Sequence, residues 1–139
     1  VRPSITEQLA AAQRVLRDVV VPEVSAPYPS DILQGVINTL GEIERSWAGA
    51  LARLRWDNDG LAAALAAVLP AATGALRERL DAVVSAPAPD PLDHESAQAR
   101  NAALRDAAVA VIAAARDDAS LRAATEPLRL HLAQFVRGI

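Results

Sequence analysis

Residues 31–55, DILQGVINTLGEIERSWAGALARLR, decide the fold. Their bulky apolar positions Leu33, Val36, Ile37, Leu40, Ile43, Trp47, Leu51 and Leu54 recur at steps of three and four, the spacing that puts side chains on one face of an α-helix. At about 100° per residue the bulky apolar positions fill an arc of roughly 140°, from Ile32 and Ile43 around to Ile37. A helix over 31–55 is predicted, capped by Ser30, and the width of its stripe predicts a central place in the fold with Trp47 buried. Trp56 falls outside the stripe and is expected to be at least partly exposed.

Upstream, Pro3-Ser4-Ile5-Thr6-Glu7 sets serine at an N-cap with glutamate three residues on, a reciprocal capping box. Ile5, Leu9, Ala12, Leu16 and Val19 then draw a second helical stripe, which Pro22 should stop because it has no N–H to donate. Residues 22–30 carry three prolines around Tyr28 and read as a stiff connector. Downstream, Asp57-Asn58-Asp59-Gly60 is turn chemistry. A third helical region over 60–84 holds Pro70 and either kinks there or breaks near Leu69; the kink is the expectation. Residues 85–91 form a proline-spaced linker. A fourth helix is predicted over 93–116 with Leu104, Ala108, Val111, Ile112 and Ala115 inward. Asp117-Asp118-Ala119-Ser120 recaps the chain for a last helix that carries Leu121, Leu128, Leu132, Phe135 and Val136 and ends at Gly138. No period-two run of β-branched residues occurs, so the fold class is all-α: a single-domain antiparallel bundle of about five helices, the second helix central.

The whole chain has 139 residues with formal net charge −3, fourteen arginines and no lysine, 32 alanines, and neither cysteine nor methionine. That length supports one hydrophobic core. Without cysteine there is no disulfide, thiolate metal site or thiol nucleophile. The seventeen uncharged residues from Gly60 to Leu76 are mostly alanine with Pro70, Thr73 and two glycines, too polar for a membrane span. The opening lacks the basic and apolar regions of a signal peptide, and a soluble cytoplasmic protein is expected.

Two stretches carry a family resemblance. One is Arg2-Pro3-Ser4 with Glu7, Leu9 and Leu16, closing at Val21-Pro22-Glu23. The other is Asn38-Thr39-Leu40 followed by Ile43, Glu44 and Arg45. Across the first third of the chain the sequence resembles a family of short, uncharacterised, all-helical bacterial proteins. Genes of that family often neighbour those of acyl-CoA dehydrogenases and aminoglycoside-phosphotransferase-like proteins. The resemblance implies an all-helical fold and assigns no activity and no catalytic residue. Trp47-Ala48-Gly49 is also similar to the Trp-x-Gly turn of small secreted helical hairpins, but here the flanking residues read as uninterrupted helix.

Reactive constellations are not apparent. Di-iron bundles use Glu-x-x-His pairs; here Pro91 stands three before His94 and Leu128 three before His131. Asp93-His94-Glu95 suits a helix N-terminus, and His131, beside the last helix's apolar stripe, reads as a partly buried structural histidine. Ser4, Ser30 and Ser120 read as caps, no nucleophile elbow is present, and the scattered glycines form no phosphate cradle. Asp57 to Gly60 lacks the glycine and glutamate positions of a calcium loop. Arg45, Arg53, Arg55 and Trp56 are interleaved with Asp31, Glu42, Glu44, Asp57 and Asp59, so no basic face for nucleic acid is expected. No catalytic residue, metal or cofactor is assigned.

One feature of the second helix stands apart. Opposite its apolar stripe lie Gln34, Asn38, Gly41, Arg45, Ala48, Gly49 and Ala52, small or hydrogen-bonding residues where solvated helices usually carry long charged side chains. This face is the candidate contact surface, packed on another helix or a second subunit. The expected function is a non-catalytic accessory or protein-interaction module with a protein partner or self-association. The other reading is a small apolar-ligand-binding helical bundle with alanine-lined space between helices.

Overall fold

A computed structural model describes residues 3–90 and 93–137. Among them the chain is all-α, without a strand, and contains six α-helices. It divides into two compact units, Val1–Ala50 and Leu51–Ile139.

In the first unit, α1 (Ile5–Val15) starts at the predicted capping box: Ser4 Oγ accepts from Glu7 N at 3.2 Å, and Glu7 Oε2 accepts from Ser4 N at 2.7 Å. Ahead of Pro22 the ladder changes pitch through a π turn, Leu16–Val20, and a 3-10 turn, Val21–Glu23, before Val24 turns extended. Helix α2 (Pro27–Val68) begins earlier than the sequence predicts, with Pro27 and Pro29 in its first turn. Prolines are tolerated there because a first-turn N–H has no helical acceptor. Ser30 is therefore inside the helix, and its N–H bonds Ala26 O at 3.1 Å.

The predicted turn at Asp57-Asn58-Asp59-Gly60 is corrected: these residues are helical, and α2 runs through them to Val68. The predicted kink at Pro70 is corrected to a break. Leu69–Ala71 tighten into a 3-10 turn, Ala72 and Thr73 are extended, and Gly74 takes φ +57°. Pro70 cannot continue the ladder, and a glycine accepts the left-handed backbone that redirects the chain.

The second unit continues with α3 (Gly74–Ser85) and α4 (His94–Ala114). Asp93 caps α4 by accepting from Ser96 N at 3.1 Å. The predicted last helix is two, α5 (Ala119–Ala124) and α6 (Glu126–Arg137), with Pro127 in the first turn of α6. Asp118, not Ser120, caps α5, taking the N–H groups of Ser120 and Leu121 at 2.9 and 3.1 Å. The expected helix end at Gly138 and the linker residue Pro91 lie outside the described residues.

The core of this unit joins Leu61, Leu65 and Val68 of α2 to Leu80, Leu104, Val111, Leu121 and Leu128, all fully or nearly fully buried. Ala64, Ala72, Ala107, Ala108 and Ala115 fill the positions between them. Short side chains there let helices approach closely enough to exclude water. The inward residues predicted for the fourth helix are in place, with Ile112 packed at the edge. In contrast, the stripe that announces the second helix is only half-buried at Leu33, Leu40, Trp47, Leu51 and Leu54, so the expected burial of Trp47 is partial. Ile37 is the one stripe residue with no exposure, and Trp56 is 38% exposed, as expected.

Candidate functional site

The most elaborate polar arrangement lies in the second unit, where α2, α4 and α6 each send side chains to one carboxylate. Asp57 is 1% exposed, although α2 carries it two residues after exposed Arg55. On α4, Asn101 and Arg105 are one turn apart and so share a face. Asn101 Nδ2 donates to Asp57 Oδ2 at 2.7 Å and to Asn58 Oδ1 at 2.9 Å. Arg105 donates from Nη2 to the same Asp57 oxygen at 2.6 Å and from Nε to Asn101 Oδ1 at 3.1 Å. The other carboxylate oxygen, Oδ1, accepts from Nε2 of buried His131 on α6 at 2.9 Å. Asn58 completes the set by donating to Ala97 O at 3.0 Å. Burial pushes the Asp57 carboxyl up, but the hydrogen bonds from Asn101, His131 and Arg105, with the charge on Arg105, outweigh it and hold the group below its ordinary value.

Apolar and aromatic groups close the cluster. The Trp56 and His131 rings lie 4.7 Å apart at 31°. A Cβ on Gly60 would overlap the His131 imidazole, so glycine is what lets that ring rest on α2. Phe135, one turn after His131, sits between the guanidinium groups of Arg53 at 4.9 Å and Arg105 at 4.3 Å.

An aspartate beside a histidine is also the composition of an acid–base pair. Here Nε2 is committed to Asp57, Trp56 covers a ring face, and Gly60 closes an edge. The hydroxyls of Thr39, Ser46, Ser85 and Thr125 donate to backbone carbonyls, and that of Ser96 donates to Asp93. A concavity of about 150 Å³ between Arg55, Asn58, Asp59, Pro89 and Arg100 reaches Asn58 but not Asp57 or His131. The arrangement clamps three helices to one another. Among the described residues no three His, Cys, Asp or Glu side chains group closely enough to hold a metal ion. Asp93, from the Asp93-His94-Glu95 trio, serves as a cap.

The predicted contact face divides. Gly41 is buried against α1, where an added Cβ would stand 3.3 Å from Gln13 Oε1; Gln34, Asn38, Arg45, Ala48, Gly49 and Ala52 are exposed. Gln34 Nε2 donates to Asn38 Oδ1 at 3.1 Å, and Arg45 pairs with Glu42 at 2.5 Å. Asn38, Gly41 and Arg45 line a groove of about 380 Å³ with Gln13 and Arg17 of the first unit. Buried Gln13 reaches Glu44 Oε2 at 2.5 Å, which ties α1 to α2.

The first unit also exposes much aliphatic surface. Ile5, Val15, Val19, Tyr28, Ile32, Val36 and Ile43 are all at least 41% exposed, and they make up seven of the eleven exposed large apolar residues described in the chain.

Asp57, Asn58, Asn101 and Arg105 escape the reading of the sequence because an Asp-Asn-Asp-Gly run carries a strong turn signal. The available signal is register. Asp57 stands four residues before Leu61, Asn101 three before Leu104, and His131 three after Leu128, so each polar residue continues an apolar stripe. Three interrupted stripes point to one buried polar junction. No crossing segment accompanies it: none of the described helices is long and apolar enough to span a membrane. Comparisons with family models, curated proteins and solved structures find no match to this chain.

Proposed function

We propose that this chain is a non-catalytic helical interaction module whose binding element is the two-helix unit formed by α1 and the start of α2. The observation that carries the reading is the row of exposed aliphatic side chains on that unit, Ile5, Val19, Ile32, Val36 and Ile43. Contiguous apolar surface of this kind marks a site of association. A face presented by two neighbouring helices fits an amphipathic helical surface, which lays its own apolar stripe along the groove between them. The absence of an assigned reaction rests on the Asp57 cluster, whose polar groups are spent on one another. The reading as a binder of small apolar molecules draws no support from the two concavities described, whose walls carry arginine, asparagine, aspartate and glutamine side chains.

The test is quantitative affinity capture from the native host with the wild-type chain and with an Ile32→Glu/Val36→Glu variant that keeps its helical circular dichroism. The expected outcome is that the captured protein, whether a different chain or further copies of this one, is lost with the variant. Equal capture by both chains overturns the assignment of the face.

A further inference from the structure

We infer that the groove where Gln13 and Arg17 meet α2 binds a small organic acid that carries a hydroxyl or N–H donor beside its carboxylate. The groove lies within the first unit, and none of the exposed aliphatic side chains that carry the reading above lines it.

Gln13 supplies the acceptor. It is the one buried residue of α1, at 6% exposure, and chemistry sets the direction of its amide. The Glu44 carboxylate has only acceptor oxygens, so it is Nε2 that meets Glu44 Oε2 at 2.5 Å. Nε2 also reaches Leu9 O at 3.4 Å. Oε1 is left on the side of Gly41, which lines the groove. Among the described residues nothing donates to it. A buried amide oxygen normally has a donor, and here one can come only from a group that enters the groove.

Gly41 keeps that acceptor within reach. A Cβ on Gly41 would stand 3.3 Å from Gln13 Oε1 and 3.4 Å from Arg45 Nη1. Both atoms thus lie within 3.4 Å of one point, close enough for a single small molecule to touch the two. Glycine inside a helix costs about 1 kcal/mol relative to alanine, so the open space, not helix propensity, accounts for it.

Arginine supplies the charge. Asn38, Gly41 and Arg45 follow one another at steps of three and four and share a face of α2. Arg17 joins them from the π turn Leu16–Val20, a rare backbone form that recurs at functional sites. Arg45 pairs with Glu42, whereas Arg17 makes no hydrogen bond or ion pair among the described residues. Two guanidinium groups and one carboxylate leave the groove with one positive charge in excess, which a monoanion neutralises. A carboxylate matches the guanidinium fork, and Asn38, whose Oδ1 accepts from Gln34, has the N–H groups of Nδ2 left to donate. The volume of about 380 Å³ suits a small molecule. A simple anion would leave Gln13 Oε1 without a donor, and a neutral amide would leave Arg17 without a counter-ion. An acid with an adjacent donor meets both.

Titration of the isotope-labelled full chain with glycolate and with N-acetylglycine, followed by amide chemical shifts, tests this, with acetate as the acid that lacks the donor. The expected result is saturable shifts in residues 13–17 and 38–45 with at least one of the two donor-bearing acids. Acetate should bind about five-fold more weakly, the worth of one neutral hydrogen bond. Arg17→Gln should weaken binding about ten-fold, the worth of a bond to a charged group. Gly41→Ala should abolish the shifts with helical circular dichroism retained. Arg79→Gln, at an exposed position of α3, leaves binding unchanged. The inference is overturned by the absence of saturable shifts with either donor-bearing acid up to about 100 mM. Acetate that binds as well as both, or binding that survives Arg17→Gln or Gly41→Ala undiminished, overturns it equally.

Discussion

In the first unit the aliphatic side chains are large and half-exposed; in the second many are alanine and buried. Leu33, Leu40 and Ile43 each keep part of their surface in water, whereas Ala64, Ala107, Ala108 and Ala115 are at most 4% exposed. Stripe size therefore does not set burial. What sets it is how many helices surround a position and how closely they approach. Two helices cover one flank of each other, while the second unit brings segments of five helices around Leu61, Leu65 and Leu104. The same enclosure makes a buried carboxylate tolerable in one unit, where Asn101, Arg105 and His131 converge on Asp57. In the other, Glu44 stays half-buried with a bond from Gln13.

The contrast is broken most severely at its polar centre. Asp57→Ala removes the common acceptor of Asn101, Arg105 and His131 and should lower stability by about 3–5 kcal/mol, the usual cost of taking one partner from a buried pair. Urea denaturation followed by circular dichroism measures it; a loss under about 1 kcal/mol would show that the clamp is slack. Leu104→Ala comes next, at about 2–4 kcal/mol for a fully buried leucine. Leu40→Ala in the first unit should cost less than half as much, because its site is already partly open to water. Equal shifts in calorimetric melting temperature for the two variants would contradict the comparison.

Acid sharpens it further. The Asp57 carboxyl is held below the ordinary value of 3.8, so its stabilisation is complete above that pH and disappears as pH falls through the lower folded value. The difference in denaturation midpoint between wild type and Asp57→Asn should be constant from neutrality to about pH 5 and then shrink as acid protonates the wild-type group. A difference that grows on acidification would reverse the sign and refute the assignment.

Glycines supply the smallest effect. Nothing lies within 4 Å of a Cβ at Gly35 or Gly49 in α2, so alanine there should stabilise the chain by up to about 1 kcal/mol. Gly60→Ala should instead destabilise it, because the methyl group would occupy the space of the His131 ring. Parallel thermal melts of the three variants test whether a helical glycine is tolerated or required.

Fold class is legible in the sequence, because periodicity and caps are local. Ser4 with Glu7 starts a helix wherever the chain goes, Pro22 stops one, and Asp93 caps α4 as its position suggests. Locality also explains the failures. Asp57-Asn58-Asp59-Gly60 favours a turn when taken alone, since Asp and Asn side chains compete for nearby backbone groups. Partners 39 to 74 residues away, Ala97, Asn101, Arg105 and His131, satisfy those side chains instead and leave the backbone free to stay helical. Pro70 is a similar case: proline alone permits either a kink or a break, and Gly74 at φ +57° turns it into a break.

By itself, then, the sequence determined that the chain is helical, where α1 and α4 begin, and which faces are apolar, since each follows from 3.6-residue periodicity and side-chain chemistry within a turn or two. Only the tertiary structure decided which apolar faces leave water, that α2 runs on to Val68, and that one carboxylate gathers three helices. Those outcomes depend on groups far apart in sequence, whose hydrogen bonds and excluded volume come into play once the helices have packed.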